Sequence, residues 1–407
     1  MTMKTEEQLP LELPNNKVNV YGERVQDAKT LRKVTSKAIA EVLGKTPSAI
    51  THLEKSDTTE LPLTEVRLMA DYLQVDEKYL TTQPISFVKN SDLHFRASAN
   101  ITKKEISSQL AFTKIINEFI IEMVKSKRVE LFPVQLEGID PSTPIDEIVS
   151  RTRKILRIDP TNPIPNLINT LEQNGVIVIP EVDPSTPHIH NHDAYSSWTV
   201  GDQIDIPLII IKNRTSWERQ RLSVAHELGH LIMHRYQAGP KKEEEAFNFA
   251  IQFLLPLTKL YEEWPQHATP LSLLPMKRKW GISIAALARY GHDQGLINRD
   301  RYTSIFRQLS NNKDTATGKS WRVQEPGSTE RPIEKPRVLA AIVSAVYGLQ
   351  PDPKTIEENT VLPWDYIRSV LSMMDSPWAP LMNETQHANR PIDDSNVIRA
   401  DFGAGRR

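Results

Sequence analysis

The sequence predicts an α+β protein that is predominantly helical. Three observations point there. Twenty-nine prolines cut the 407-residue chain into short stretches of helical periodicity. Only two runs, VIVIP at 176–180 and IDIPLIIIK at 204–212, have the β-branched look of buried strands, enough for a small sheet. The longest apolar run, Val338 to Leu349, has about 12 residues, short of the roughly 20 that a membrane span requires.

Composition narrows the classes further. Lysine and arginine total 50 against 51 acidic residues, a net charge of −1, so bulk charge argues for neither a nucleic-acid nor a membrane partner. A local patch remains open. There is no cysteine, which excludes disulfides, cysteine-ligated zinc, iron–sulfur clusters and thiol nucleophiles, and which fits a cytoplasmic protein. The first residues, MTMKTEEQLP, are acidic where a signal peptide needs an apolar core. The expectation is a soluble, cytoplasmic chain of several domains with no membrane partner.

Taken in order, residues 1–17 read as a flexible leader. From Tyr21 to Leu80 four or five short helices follow. Gly44 stops the second, and Thr46 is placed to cap the third, with Pro47 at its first position. After a connector, Lys103 to Lys127 is a long amphipathic helix whose positions 106, 110, 113, 116, 120 and 124 form a packing stripe. Helices at 145–157 and 164–173 precede the first strand. Beyond the second strand, Ser216 to Arg235 and Glu243 to Leu255 are helical. Residues 270–312 hold two more helices, and 318–332 (GKSWRVQEPGSTERP) reads as a linker rich in proline, glycine and serine. Helices at 334–348 and 362–374 follow. The tail from 389 to 407 is polar and expected to be disordered.

Chemistry concentrates at Ala225-His226-Glu227-Leu228-Gly229-His230. Two histidines four residues apart lie on one face of a helix, where both imidazoles reach one metal ion. Glu227, beside the first of them, can take a proton from water. Imidazoles and a carboxylate suit zinc, and a catalytic zinc site takes three protein ligands. A third histidine six residues beyond His230 is absent, since position 236 is tyrosine. The next helix opens with Glu243-Glu244-Glu245. Glu243 shares a face with Ala246, Ala250 and Phe253, and that small, apolar face is the one to be buried, so Glu243 is favoured as third ligand. Glu245 is the reserve and Glu244 faces solvent.

Weaker features stand beside these. His188, His190 and His192 alternate and would share one side of an extended chain. His234 lies one turn beyond His230 but drifts off the ligand face. Tyr195 stands as a donor for a developing oxyanion.

The run HELGHLIMHR followed by EEEAFNFAIQFLLP resembles the ImmA/IrrE-type metallopeptidases, and the likeness spans about residues 90 to 335. It implies a zincin-like domain in which His226, His230 and Glu243 bind zinc and Glu227 is the general base. It also implies cleavage of a helix-turn-helix repressor. Phe247 departs from the Asn or Asp common there. VTSKAIAEVLGKTPSAITHLEKSD resembles the Xre (Cro/C1-type) helix-turn-helix, which would turn Ser48, Thr51 and His52 toward the major groove. Ser36 and Pro47 stand where glutamine is frequent. Residues 21–55 carry seven basic against four acidic side chains, a modest footprint for phosphates.

The expected organisation is a leader (1–17), an Xre-type domain (18–82), a helical connector (83–160), the zincin-like domain (161–315), a C-terminal helical extension (316–388) and the tail. The expected function is zinc-dependent endopeptidase action on a regulatory protein, with double-stranded operator DNA as a second partner. The competing expectation is a DNA-binding regulator whose metallopeptidase fold is a sensor or scaffold.

Overall fold

Side-chain caps start about half of the helices. In a computed structural model the described residues are 16–86, 88, 94–95, 102–127, 143–182, 193–201, 204–212, 216–235 and 241–383. His188, His190, His192, most of the leader and the tail lie outside them.

The N-terminal region runs β1 (Lys17–Tyr21), α1 (Gly22–Leu31), α2 (Ser36–Val42), α3 (Pro47–Lys55), β2 (Thr58–Pro62), α4 (Leu63–Leu73) and α5 (Glu77–Thr81). Thr46 caps α3 by accepting from the Ala49 amide, with Pro47 at the first helical position. Gly44 takes a left-handed φ of 61°, a conformation that stops α2 at little steric cost. Pairing of β1 with β2, antiparallel from Lys17–Pro62 to Tyr21–Thr58, is a feature the helical reading missed. Lys17, assigned to the leader, begins it.

Next come β3 (His94–Phe95), α6 (Lys103–Lys127), α7 (Ile145–Ile155), α8 (Leu167–Gln173), β4 (Ile177–Pro180), β5 (Ala194–Gly201) and β6 (Ile204–Ile211). The sheet has the order β3-β5-β6-β4, with β4 parallel to β6 and the other pairs antiparallel. Both faces are covered. Ile177, Ile179, Tyr195, Leu208 and Ile210 face one apolar cluster, and Val178, Ala194, Ile209 and Ile211 face the other. Alternation along each strand produces this split. The first cluster joins the N-terminal helices, α6 and the C-terminal helices; the second joins α7, α8 and the helices after β6.

Those helices are α9 (Trp217–Met233), α10 (Lys242–Leu254), α11 (Leu257–Glu263), α12 (Pro270–Trp280), α13 (Ile284–Asp293) and α14 (Arg299–Asn311). Residues 270–312, read as two helices, therefore hold three. The C-terminal part is α15 (Val338–Tyr347), α16 (Pro353–Asn359), α17 (Trp364–Ser372) and a 3-10 turn at Ala379–Asn383.

The stretch expected to be a linker at 318–332 is a strap bonded across the helices. Glu325 accepts from the amides of Ile284 and Ala285 at 2.7 and 2.9 Å and pairs with Lys277. Trp217 Nε1 donates to the Gly327 carbonyl, and Arg221 pairs with Glu334 just beyond. Proline and glycine mark turns, and turns need not be loose.

The N-terminal helices are held through α6. Arg24 on α1 meets Glu118 at 2.7 Å with both side chains 3% exposed, and Lys114 bonds Asp27 at 3.2 Å. Burial pushes the Asp27 carboxyl up to about 6 although Lys114 pulls it down. On the other flank Arg32 pairs with Asp365, and the Tyr366 hydroxyl donates to the Leu31 carbonyl at 3.0 Å. No helix among the described residues is long and apolar enough to cross a membrane.

Candidate functional site

Close packing of α9 against α10 assembles the site. Gly229 allows it, because a Cβ there would stand 2.9 Å from Phe249 Cδ1 and 3.3 Å from Ala246 Cα. Ala246, Ala250 and Phe253 are buried, as the face of α10 read from the sequence requires. That orientation turns Glu243, one turn before Ala246, toward α9.

His226 and His230 lie four residues apart on α9, with Nε2 atoms 3.0 Å apart. Glu243 reaches both: its oxygens lie 3.4 Å from His226 Nε2 and 3.3 Å from His230 Nε2. The three residues are the one group among those described whose donor atoms could share a metal ion. A tetrahedral zinc site with bonds of about 2.0–2.1 Å has ligand–ligand edges of about 3.3–3.4 Å. The two glutamate distances fit that size, the histidine nitrogens lie slightly closer, and two imidazoles with a carboxylate fit that ion.

Electrostatics favour the protonation states a metal needs. Burial lowers the His230 pKa, which disfavours the charged imidazole. Burial also pushes the Glu243 carboxyl up, but the two imidazoles beside it outweigh that and hold the group well below the usual carboxylate range.

Glu227 points to the sheet instead of joining that group. Its Oε2 accepts from Ser196 Oγ at 2.8 Å, and both residues are buried. Ser196 was missed in the sequence. The signal was the alternation of β5, which sends Ala194, Ser196 and Trp198 toward α9. The same alternation removes Tyr195. Its ring lies on the opposite face, its hydroxyl is 3.3 Å from Thr113 Oγ1, and burial raises its pKa well above the usual phenol value. Tyr195 cannot serve an oxyanion beside His226.

A cavity of about 230 Å³ opens next to His226 and Glu227, lined also by Leu222, Phe247 and Arg219. Phe247, the departure noted in the sequence, packs its ring under Arg289 at 4.1 Å and forms part of this wall. Arg219 is held at the rim by Asp193 at 2.7 Å. His234 stays outside the group of three. Its Nδ1 is 2.9 Å from His230 Nδ1, and its Nε2 is 3.1 Å from Glu245 Oε2. Burial pushes its pKa down to about 4.

At the N-terminal end, Ser48 and His52 on α3 are exposed and Thr51 is half-buried, its hydroxyl donating to the Pro47 carbonyl at 3.0 Å. Ser36 is committed elsewhere: it donates to Glu54 at 2.8 Å and accepts from Lys29 at 3.1 Å. That triangle ties α2 to α1 and α3.

Residues 184–290 match the family model of the IrrE N-terminal-like domain, and residues 25–80 match that of a helix-turn-helix. The fusion of an Xre-type helix-turn-helix with an ImmA/IrrE-like, metallopeptidase-like domain is thereby shown, though the match is narrower than the 90–335 drawn from the sequence. A search of the curated proteins finds no match.

Proposed function

We propose that this chain is a zinc-dependent endopeptidase acting on a regulatory protein of the helix-turn-helix repressor class, and that its own helix-turn-helix binds operator DNA. The observation that carries the reading is the convergence of His226, His230 and Glu243 beside a buried glutamate at a cavity. When bound there, zinc supplies Lewis acidity. Glu227, oriented by the Ser196 hydroxyl, accepts the proton of the attacking water and delivers it to the leaving amine. Leu222 and Phe247 give a substrate side chain an apolar wall to rest on. The exposed Ser48 and His52, with Thr51 beside them, are the side chains offered to DNA. Both partners belong to the compartment that holds the DNA, so the proposed site of action is the cytoplasm.

Glu227→Gln tests the chemistry, because glutamine keeps size and hydrogen bonding and loses basicity. Against a repressor encoded nearby, cleavage followed on gels should fall by roughly 10²–10⁴-fold while zinc content stays near wild type. Cleavage at the wild-type rate would overturn the mechanism.

A further inference from the structure

We infer that His234 and Glu245 are positioning residues that fix the ring and the tautomer of His230, an inference resting on the zinc reading above. Two side chains with no assigned task stand in line behind a candidate ligand. Glu245 Oε2 lies 3.1 Å from His234 Nε2, and His234 Nδ1 lies 2.9 Å from His230 Nδ1. The two rings are 5.0 Å apart, and His234 is 1% exposed.

The hydrogens in this row follow from what each end must do. His230 turns Nε2 toward His226 and Glu243, so a metal there would need the lone pair of that nitrogen. The hydrogen of a neutral His230 then sits on Nδ1, facing His234 Nδ1, which must accept it. A neutral His234 thus carries its own hydrogen on Nε2 and donates it to the Glu245 carboxylate. Each contact in this row then pairs one hydrogen with one lone pair. The reverse arrangement puts a hydrogen on His230 Nε2, aims it at the metal position and leaves Glu245 facing a bare lone pair. The carboxylate therefore selects the metal-ready tautomer two rings away.

Helix geometry makes the row possible. His234 is one turn past His230 on α9, and Glu245 is two residues past Glu243 on α10, so the same pair of helices supplies both carboxylates. Outer partners of a ligating histidine typically change metal affinity by 10–100-fold.

The test measures zinc affinity by competition with a chelator in the full chain, with the Nδ1–H of His230 followed by ¹⁵N NMR in the zinc-loaded protein. His234→Leu removes the acceptor and should weaken zinc by about 10–100-fold. His234→Asn returns a carbonyl oxygen near the place of Nδ1 and should recover much of that loss, which a packing role alone would not produce. Glu245→Ala, at a half-exposed carboxylate, should weaken zinc in the same direction with the melting of the metal-free chain unchanged. Wild-type zinc affinity within threefold in both His234→Leu and Glu245→Ala would overturn the relay, as would a wild-type His230 without a hydrogen on Nδ1. A wild-type chain that binds no zinc would instead overturn the parent reading.

Discussion

Lys277 offers the sharpest energetic test of how α9 is held. Its side chain is wholly buried, and Nζ donates to Glu218 at 2.8 Å, Glu325 at 3.0 Å and Ser328 at 2.9 Å. All three ammonium hydrogens are spent, and the partners come from α9 and the strap. Lys277→Met keeps chain length and apolar stem while deleting the charge. Glu325 retains the amides of Ile284 and Ala285, but Glu218, 2% exposed, keeps only the Ser328 hydroxyl against its negative charge. Removing one member of a buried ion pair costs about 3–5 kcal/mol. At about 1.4 kcal/mol per decade, the amides of Ile284 and Ala285 should exchange with solvent roughly 10²–10³-fold faster or more. Adding Glu218→Gln removes the stranded charge and should restore most of the protection. Exchange within threefold of wild type in the single variant, or a double variant worse than the single, would refute this account of the cluster.

Other perturbations separate the remaining readings. Glu243→Ala should lose stoichiometric zinc while Glu244→Ala keeps it, measured by elemental analysis; equal retention would remove Glu243 from the ligand set. Glu122 on α6 is pushed up to about 7, well above the usual carboxylate range, chiefly by burial and against a hydrogen bond from Thr360. A carboxyl raised in the folded state contributes stability below its unfolded pKa and loses it as pH rises toward the folded one. Glu122→Gln should therefore flatten the fall in denaturation midpoint between pH 5 and pH 8, and an unchanged slope would count against it. For DNA, Thr51→Ala with His52→Ala should bring binding of a selected operator down to that of random duplex, read by anisotropy across a salt series. Equal binding of both duplexes by the wild type would reduce the helix-turn-helix to a docking module.

What the sequence made legible follows periodicity and range. The spacing of His226 and His230 is a local rule, and so is the shared face of Glu243, Ala246, Ala250 and Phe253; both needed only the pitch of a helix. The same arithmetic removes His234 from the ligands. Eight residues from His226 it is rotated about 80°, too far to join the ligands, yet four residues from His230 it still touches that ring. Contacts between distant segments were not legible. Ser196 meets Glu227 only because β5 lies across α9, and β1 finds β2 about 40 residues on. The strap at 318–332 is misread because its polar anchors, Lys277 and Trp217, lie on other helices. Composition reported turns and said nothing of what they are bonded to.

The strap also governs where the polypeptide can be divided. The family match ends at Tyr290, and the last helix before the strap ends at Asn311. A chain cut there keeps every candidate ligand, yet it parts Lys277 from Glu325 and Ser328 and Arg221 from Glu334. Arg221 would stay in the interior without its carboxylate and Lys277 with Glu218 alone, at a cost of several kcal/mol. Extending the piece to about Lys335 returns each of them. The edges of a family trace what relatives hold in common. Charge closure sets a different edge, farther along, and a fragment that keeps α9 and α12 has to reach it.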